Sequence, residues 1–175
     1  MVRWWWLGLF SFLLIPALVF YEKYSFGQKE PYYSSPVVLV SNILTLRNDP
    51  FGKGAFGASR SGGRIHAGID LTNAVGSPVM ASKSGRVFFA GDDPGYGHYV
   101  EIRHPDGLLT RYAHLSRIQV KEGEWVHQHQ VIGASGKTGN ANQPVITPHL
   151  HFEIRYQNQP LDPALGLLDP SLQLQ

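Results

Sequence analysis

Histidine and aspartate alternate with apolar residues between positions 65 and 71 of this 175-residue chain. Because successive side chains of a strand point to opposite faces, a strand here places His66, Gly68 and Asp70 on one face and the apolar set on the other. Gly68 argues against a helix that pairs His66 with Asp70, and it leaves room for a ligand to approach the backbone. The segment therefore predicts one half of a metal site.

A second segment, residues 149–154, shows the same alternation. His149, His151 and Glu153 share one face of the predicted strand, opposite three apolar side chains. Zinc is the commonest metal for imidazole and carboxylate ligands, and three protein ligands leave a fourth position for water. Short motifs also arise by chance, and such a strand face is then simply solvated. Two strands of this kind in one chain favour a catalytic zinc site over that alternative.

The composition excludes several other kinds of site. The chain has no cysteine, which removes disulfides, cysteine nucleophiles and thiolate metal ligands. Its 15 Lys and Arg against 13 Asp and Glu give a net charge of +2, with the cations scattered singly. Nucleic-acid binding needs a clustered basic surface, so we expect no nucleic-acid partner. His127 and His129 form another His-x-His pair but lack an acidic partner, and we expect them on the surface.

Short strands and glycine-rich turns are expected to position the candidate site. Most of the 19 glycines lie between Gly52 and Gly139. Candidate strands rich in β-branched and aromatic residues are Arg86–Ala90, Tyr99–Arg103, Leu108–His114, Gln130–Ala134 and His149–Tyr156. The pattern predicts an all-β, mostly antiparallel domain over residues 46–165, followed by a tail over residues 166–175.

An apolar segment precedes this domain. Residues Trp4–Tyr21 carry no charge, and as a helix they would span about 27 Å, close to the thickness of a bilayer core. No small-x-small cleavage site follows, so a transmembrane anchor over residues 1–23 is favoured over a cleaved signal peptide. Residues 24–45 then form a linker. The slight charge bias places the domain outside the cytoplasm, in the cell envelope, with the membrane as a partner.

Three motifs carry a resemblance to a known family. Their order and spacing resemble the signatures of lysostaphin-type (LytM-type) zinc metallopeptidases: His66-Ala67-Gly68-Ile69-Asp70, Arg111-Tyr112-Ala113-His114-Leu115-Ser116 and His149-Leu150-His151-Phe152-Glu153. The resemblance runs from about Phe51 to Pro163 and covers nearly the whole domain. It implies a compact, mostly antiparallel β core of the duplicated hybrid motif kind. It also implies an endopeptidase that hydrolyses peptide cross-links of bacterial peptidoglycan, with the peptide stems as its substrate.

The resemblance also implies roles for individual residues. One zinc ion per chain is expected on His66, Asp70 and His151, with His114 and His149 as the catalytic pair. We expect His149 to be the base that activates water, and His114 to orient that water or to stabilise the developing charge. Glu153 is expected either to support a ligand imidazole or to form an ordinary ion pair.

Two alternative functions stay open. Some members of the family lack metal ligands and act as activators of other wall hydrolases. The alternative function is therefore that of a non-catalytic, wall-binding regulator that uses the same groove. A carrier module on a related β scaffold is a weaker alternative, because it leaves Asp70 and His151 without a purpose. The sequence names no activator or scaffold protein.

One segment departs from the family pattern. Residues 140–148 stand where the family usually has a short Gly-Pro segment before the His-x-His motif. We expect this loop to lie beside the metal and to reshape the groove. The choice of cross-link therefore does not follow from the resemblance.

Overall fold

The computed structural model describes residues 25–165 and 167–175. The chain as a whole divides into two units, Met1–Pro31 and Tyr32–Gln175. In the first unit, residues 25–29 are helical. The expected membrane anchor over residues 1–23 lies outside the described residues. Among the residues that are described, no helix combines the length and the apolar character needed to cross a membrane.

The second unit is built on a nine-stranded sheet in which every pairing is antiparallel, so the predicted mostly antiparallel β domain is confirmed. The strands of the described residues are β1 (Ile43–Leu44), β2 (Asn48–Asp49), β3 (Gly52–Lys53), β4 (Ile69–Thr72), β5 (Pro78–Met80), β6 (Gly85–Asp93), β7 (Gly97–Arg103), β8 (Leu109–Ile118), β9 (Trp125–Val126), β10 (Val131–Ser135), β11 (His149–Tyr156), β12 (Gln159–Leu161) and β13 (Gln173–Leu174). Two single-turn 3₁₀ helices cover Ser61–Gly63 and Gly139–Ala141.

Strand β11 organises the sheet around the candidate site. It pairs with β8 along one edge, and with β4 and then β12 along the other. The remaining strands continue from β8 through β7 and β6 to β9, while β10 pairs with β8 and β5. The register places His151 opposite Asp70 on β4 and opposite Ala113 on β8. The two histidine motifs are therefore brought side by side by the pairing of β4 with β11.

Both faces of β11 are buried, whereas the alternation predicted one exposed face. Leu150, Phe152 and Ile154 are fully buried in the apolar core. On the opposite face His149 and His151 are also buried, and their ring nitrogens have polar partners in Thr147, Asp70 and Glu153. The polar residues are therefore enclosed in a groove.

Strand β4 is shorter than the predicted strand over residues 65–71. It begins at Ile69, and Ile65, expected in the core, is 66% exposed. The reason is local, since the His66 N–H donates to Ala58 O and the His66 ring to Ala55 O, which hold this segment as an irregular loop. The space at Gly68 is also not a ligand space. A methyl group there would lie 2.3 Å from Phe152 O, so glycine permits β11 to approach.

Segments expected to form a linker and a tail contribute to the core of the second unit. Tyr33, Val37 and Leu44, from the expected linker, are buried in the core, and so is Leu168 from the expected tail. Strands β1 and β13 pair in parallel. The apolar side chains of both segments explain this packing, because they remove further apolar surface from water.

A polar cluster fastens the first of these segments to the sheet. The Tyr33 hydroxyl lies 3.0 Å and 3.2 Å from the two carboxylate oxygens of Asp106. The Lys83 ammonium donates to Asp106 at 2.9 Å and lies 4.6 Å from the centroid of the Tyr33 ring. These contacts link Tyr33 to the β7–β8 turn by charge-assisted hydrogen bonds, which are stronger than neutral ones.

Candidate metal centre and active site

Three side chains converge to form a candidate metal centre. The atoms His66 Nε2, Asp70 Oδ1 and His151 Nδ1 are separated by 2.9 Å, 3.1 Å and 2.8 Å. His66 comes from the loop before β4, Asp70 from β4 and His151 from the facing position on β11. All three residues are buried and form a group that is able to hold a metal ion.

The hydrogen bonds of the two imidazoles leave their lone pairs facing each other. His66 Nδ1 donates to Ala55 O at 2.8 Å, so Nε2 of the neutral ring carries a lone pair. His151 Nε2 donates to Glu153 Oε1 at 2.9 Å, so its Nδ1 is the atom that faces Asp70. Three electron-pair donors this close repel one another unless a cation lies among them. The donor set of two imidazoles and one carboxylate fits zinc.

The charge state of the metal-free cluster follows the same logic. Burial lowers the pKa of His151, but the hydrogen bonds to Asp70 and Glu153 outweigh burial and raise it to about 9. Burial raises the pKa of Asp70, but the hydrogen bonds with His151 and His66 hold it well below its usual range. Without a metal, a proton on His151 supplies the cation that the cluster needs.

Two arginines hold the second oxygen of Asp70. Arg47 donates to Asp70 Oδ2 from Nε at 3.2 Å and from Nη2 at 3.0 Å, and Arg60 donates from Nη2 at 2.9 Å. Oδ1 alone therefore remains directed at the imidazoles. Arg47 also donates from Nη1 to Asp49 Oδ1 at 2.7 Å, which fixes its guanidinium between two carboxylates.

Glu153 accepts a hydrogen bond from the imidazole of His151, a candidate ligand, and also forms ion pairs. Besides accepting from His151, its Oε1 accepts from the Tyr96 hydroxyl at 2.9 Å. Arg111 Nη1 lies 3.2 Å from Oε2, and Arg155 also pairs with Oε2. Burial raises the pKa of Glu153, but the hydrogen bond from His151 and the nearby cations lower it to about 2. A buried, ionised carboxylate therefore fixes the orientation of His151.

His149 begins β11 and turns its free ring nitrogen toward the cluster. Its Nδ1 donates to Thr147 O at 2.7 Å, which leaves the lone pair on Nε2. That Nε2 lies 3.8 Å from Asp70 Oδ1. Burial lowers the pKa of His149, and the Asp70 carboxylate and the Thr147 carbonyl only partly oppose this. The imidazole is thus neutral at neutral pH and able to accept a proton.

His114 reaches the cluster because β8 is irregular at this position. Ala113 and His114 together oppose the single residue Tyr99 on β7, which is a β-bulge, and His114 has a positive φ of 62°. Such a backbone is rare for a residue with a side chain and is typical of functional sites. The bulge directs the ring to within 5.1 Å of the His149 ring, measured between centroids.

The ring of His114 is held like that of His149. Its Nδ1 donates to Thr138 O at 2.9 Å, so the lone pair is again on Nε2. Burial, together with the neighbouring imidazoles His151 and His149, lowers the pKa of His114 to about 3. The structure therefore brings together all five residues singled out in the sequence, as three convergent ligand atoms and two neutral imidazoles.

A groove of about 420 Å³ leads to this cluster. One wall carries Arg60, Arg64 and Ile65, and the expected loop over residues 140–148 contributes Asn140 and Ile146. The loop is tied down by Lys137 Nζ, which donates to Gln143 O at 2.8 Å, and by Thr147 N, which donates to Asp49 Oδ2 at 3.0 Å. The departure from the family pattern therefore lies beside the candidate site, as expected.

Sequence analysis missed Arg47, Asp49 and Arg60, which hold the site from outside the recognised motifs. Their one sequence signal is the occurrence of charged residues before a short apolar strand, which is too common to single them out. The second His-x-His pair, His127 and His129, is exposed as expected. Within the described parts of the chain, His66, Asp70 and His151 form the group whose side-chain positions could hold a metal ion.

Comparisons with known proteins agree with this geometry. The sequence profile described as Peptidase family M23 matches residues 64–163. A "DD-carboxypeptidase/endopeptidase Mpg" of Neisseria meningitidis serogroup B is 44% identical over 110 residues, which are 62% of this chain and 24% of that protein. The matched segment thus spans about a quarter of that relative's length. All five singled-out residues lie within the profile, whereas Arg47, Asp49 and Arg60 precede it.

Solved structures show the same fold. A zinc-containing peptidase from Vibrio cholerae superposes with a TM-score of 0.60 at 30% identity, over 76% of this chain and 41% of that one. The SpoIIQ–SpoIIIAH pore-forming complex contains a chain that superposes with a TM-score of 0.61 at 32% identity, over 79% of this chain and 91% of that one. With the family profile covering more than half of its length, this chain belongs to peptidase family M23.

Proposed function

We propose that the chain is a zinc-dependent endopeptidase that hydrolyses peptide cross-links of bacterial peptidoglycan. The observation that carries the proposal is the convergence of His66, Asp70 and His151 beside two further imidazoles in one groove. A binding module has no need for two neutral bases next to three ligand atoms. The peptidoglycan substrate is supported by the names of the relatives, among them DD-endopeptidases of the cell wall.

The residues that would hold zinc are His66 through Nε2, Asp70 through Oδ1 and His151 through Nδ1. Bound zinc supplies Lewis-acid polarisation, which lowers the pKa of water to about 7 and draws electrons from a carbonyl group. The protein supplies the orientation of each ligand by a hydrogen bond to the atom that is turned away from the centre. Ala55 O accepts from His66, the two arginines donate to Asp70 Oδ2, and Glu153 accepts from His151.

His149 is the general base in this proposal. Its Nε2 lone pair faces the groove, and the Nδ1 proton is committed to Thr147 O. After Nε2 accepts a proton, the imidazolium lies 3.8 Å from Asp70 Oδ1, and this carboxylate stabilises the new positive charge. The same proton then goes to the amine that leaves from the cleaved peptide bond.

His114 orients the nucleophilic water in this proposal. Since its Nδ1 proton is donated to Thr138 O, its Nε2 accepts a hydrogen bond and has none to donate. It therefore holds a water molecule by one of its hydrogens, and it does not stabilise an oxyanion while it stays neutral. Of the two roles expected for His114, hydrogen bonding favours orientation of water.

The test is cleavage of intact peptidoglycan by the purified chain, with the released fragments identified by mass spectrometry. We expect fragments with newly opened peptide cross-links, and none from zinc-stripped protein or from His149→Ala. The masses name the bond that is cut. Absence of release from walls of several bacteria, by protein with zinc bound, contradicts the proposal.

The second candidate function is a non-catalytic wall-binding regulator. The likeness to a chain of the SpoIIQ–SpoIIIAH complex favours it, because that chain takes the same fold into a protein assembly. The two candidates differ in turnover. A regulator binds peptidoglycan or a partner equally well as wild type and as His149→Ala, and releases no fragments in either form.

A further inference from the structure

Residues before the family segment connect the two halves of the candidate site. Arg47 is buried and donates to Asp70 Oδ2, and its remaining nitrogen Nη1 donates to Asp49 Oδ1. Asp49 Oδ2 in turn accepts the backbone N–H of Thr147, whose carbonyl accepts from His149 Nδ1. An unbroken series of hydrogen bonds therefore runs from a proposed metal ligand to the proposed base.

We propose that Arg47 and Asp49 are a pair of positioning residues that sets the geometry of the metal ligand Asp70 and of the base His149 together. Arg47 holds Asp70 so that one oxygen faces the imidazoles. Asp49 holds Thr147 so that the carbonyl of Thr147 selects the ring nitrogen of His149 that carries the proton. Neither residue touches the reacting atoms in this arrangement.

The chemistry of the pair suits this role. Arginine presents several donors in a rigid plane, which bridges two carboxylates at fixed angles, whereas lysine is a point charge on a flexible stem. Asp49 uses both oxygens, since Oδ1 accepts from Arg47 and from Phe51 N at 2.9 Å, and Oδ2 from Thr147. Its side chain is 5% exposed, so water competes little for these bonds.

The hairpin β2–β3 places the pair by backbone hydrogen bonds. Arg47 N donates to Asp70 O at 2.8 Å, Gly54 N donates to Arg47 O at 2.6 Å, and Asp70 N donates to Gly54 O at 2.8 Å. A side chain at Gly54 would lie 2.6 Å from Asp70 O, so only glycine permits this approach. The segment before the family profile is therefore built into the site.

Two variants of the full chain separate the two links. Asp49→Asn keeps the size of the side chain but replaces one carboxylate oxygen by an NH₂ group, which donates hydrogen bonds and accepts none. Either the bond from Thr147 or the bond from Arg47 is therefore lost. Arg47→Lys keeps the charge and leaves the Asp49–Thr147 bond intact. Asp169→Asn is the matched control, because Asp169 accepts the N–H of Ser171 in an exposed turn away from the groove.

The first measurement is the tautomer of His149 in the zinc-free protein, by long-range ¹H–¹⁵N NMR. Wild type and Asp169→Asn are expected to carry the proton on Nδ1. Asp49→Asn is expected to show a mixture of tautomers, while Arg47→Lys retains the Nδ1 form. The second measurement is zinc affinity by chelator competition, which Arg47→Lys is expected to weaken by about tenfold, as changes around a ligand do.

The third measurement is turnover of peptidoglycan, and only this one rests on the proposed function. Asp49→Asn is expected to lower kcat by about tenfold or more with KM unchanged. If wild type fails to cleave, the proposed function is overturned while the tautomer and zinc affinity still decide this inference. The positioning role is overturned if both variants keep the His149 tautomer, the zinc affinity and the kcat of the wild type. A circular dichroism melt checks that each variant is folded.

Discussion

His66 Nε2 and His151 Nδ1 lie 3.1 Å apart, and each ring donates its other N–H to an oxygen acceptor, Ala55 O or Glu153 Oε1. Two lone pairs thus point at the same space beside the Asp70 carboxylate. Such an arrangement is stable only when a cation lies between the two nitrogens, either a metal ion or, in its absence, the proton of a charged His151. The consequences of this arrangement are testable.

Removal of zinc is expected to abolish cleavage and leave the fold intact. The apolar core of Leu150, Phe152 and Ile154 does not depend on the metal, and a proton on His151 replaces its charge. Metal analysis, activity and far-UV circular dichroism before and after chelation check this. Activity should return with zinc but not with magnesium, which prefers oxygen ligands. Collapse of the fold on chelation would show a structural metal.

Replacement of His149 or His114 by alanine is expected to lower kcat by about 10²- to 10⁴-fold, the usual contribution of a general base. Zinc should stay bound in both variants, because the ligand atoms belong to other residues. Metal content and kcat of each purified variant are the measurements. His127→Ala, at an exposed histidine, is the control. Loss of zinc from His114→Ala would reassign His114 as a ligand.

Gly68→Ala is expected to destabilise the domain by about 3 kcal/mol, at the upper end of the cost of overpacking. The new methyl group would meet the backbone oxygen of Phe152 at 2.3 Å, and backbone on a central strand does not move aside. Urea unfolding measures the change. Gly27→Ala is the control, since among residues 25–165 and 167–175 no atom outside its own helix lies within 4 Å of a methyl group there. Equal stability of the two variants would contradict the close approach of β11.

Asp106→Asn is expected to destabilise the folded state by about 1–2 kcal/mol at pH 7, from the loss of charge-assisted hydrogen bonds at a partly exposed group. Burial raises the pKa of Asp106, but the hydrogen bond and charge of Lys83 outweigh burial and lower it. A depressed pKa stabilises the folded state above the unfolded value of about 4, and this contribution is lost as pH falls through the folded value.

The difference between wild type and Asp106→Asn should therefore be full at pH 7 and shrink below about pH 4. Urea unfolding across this range is the measurement. Asp162→Asn serves as the control, because the Asp162 carboxylate accepts the local N–H of Ala164 in an exposed hydrogen bond. A difference that grows as the pH falls would have the wrong sign for this explanation.

If residues 1–23 form the membrane anchor predicted from the sequence, the protein is expected in membrane fractions with its N-terminus uncleaved. Intact-mass measurement of the membrane-bound protein checks this. A soluble form that begins near Glu22 would instead show a cleaved signal. Release by alkaline carbonate of the uncleaved chain would show peripheral attachment.

The sequence alone predicts the longer strands β6, β7, β8, β10 and β11 and the residues of the cluster, whereas most of the two- and three-residue strands were not predicted. The β11 range His149–Tyr156 was predicted to the residue, because its alternation and β-branched and aromatic content are strong local signals. All five residues of the cluster were identified from short motifs and a resemblance. These features are local in sequence, and local patterns are what sequence analysis detects.

The remainder depends on tertiary contacts. Ile65 was expected in the core, but hydrogen bonds of His66 with Ala58 and Ala55, eight and eleven positions earlier, decide its surroundings. The positive φ of His114 follows from a bulge, which requires the neighbouring strand β7 to be defined. Arg47 and Asp49 reach the site only because the hairpin folds back onto β4. None of these contacts leaves a pattern in the segment itself.

The anchoring of Thr147 separates the wall of the groove from the position of the His149 ring. Asn140, Ala141 and Ile146 line that wall, while the N–H of Thr147 donates to Asp49 two residues before His149. Length and composition of the wall are therefore free to change up to that fixed point without displacing the imidazole. Exchange of residues 140–146 between homologues is thus a route to new substrate preferences on an unchanged catalytic frame.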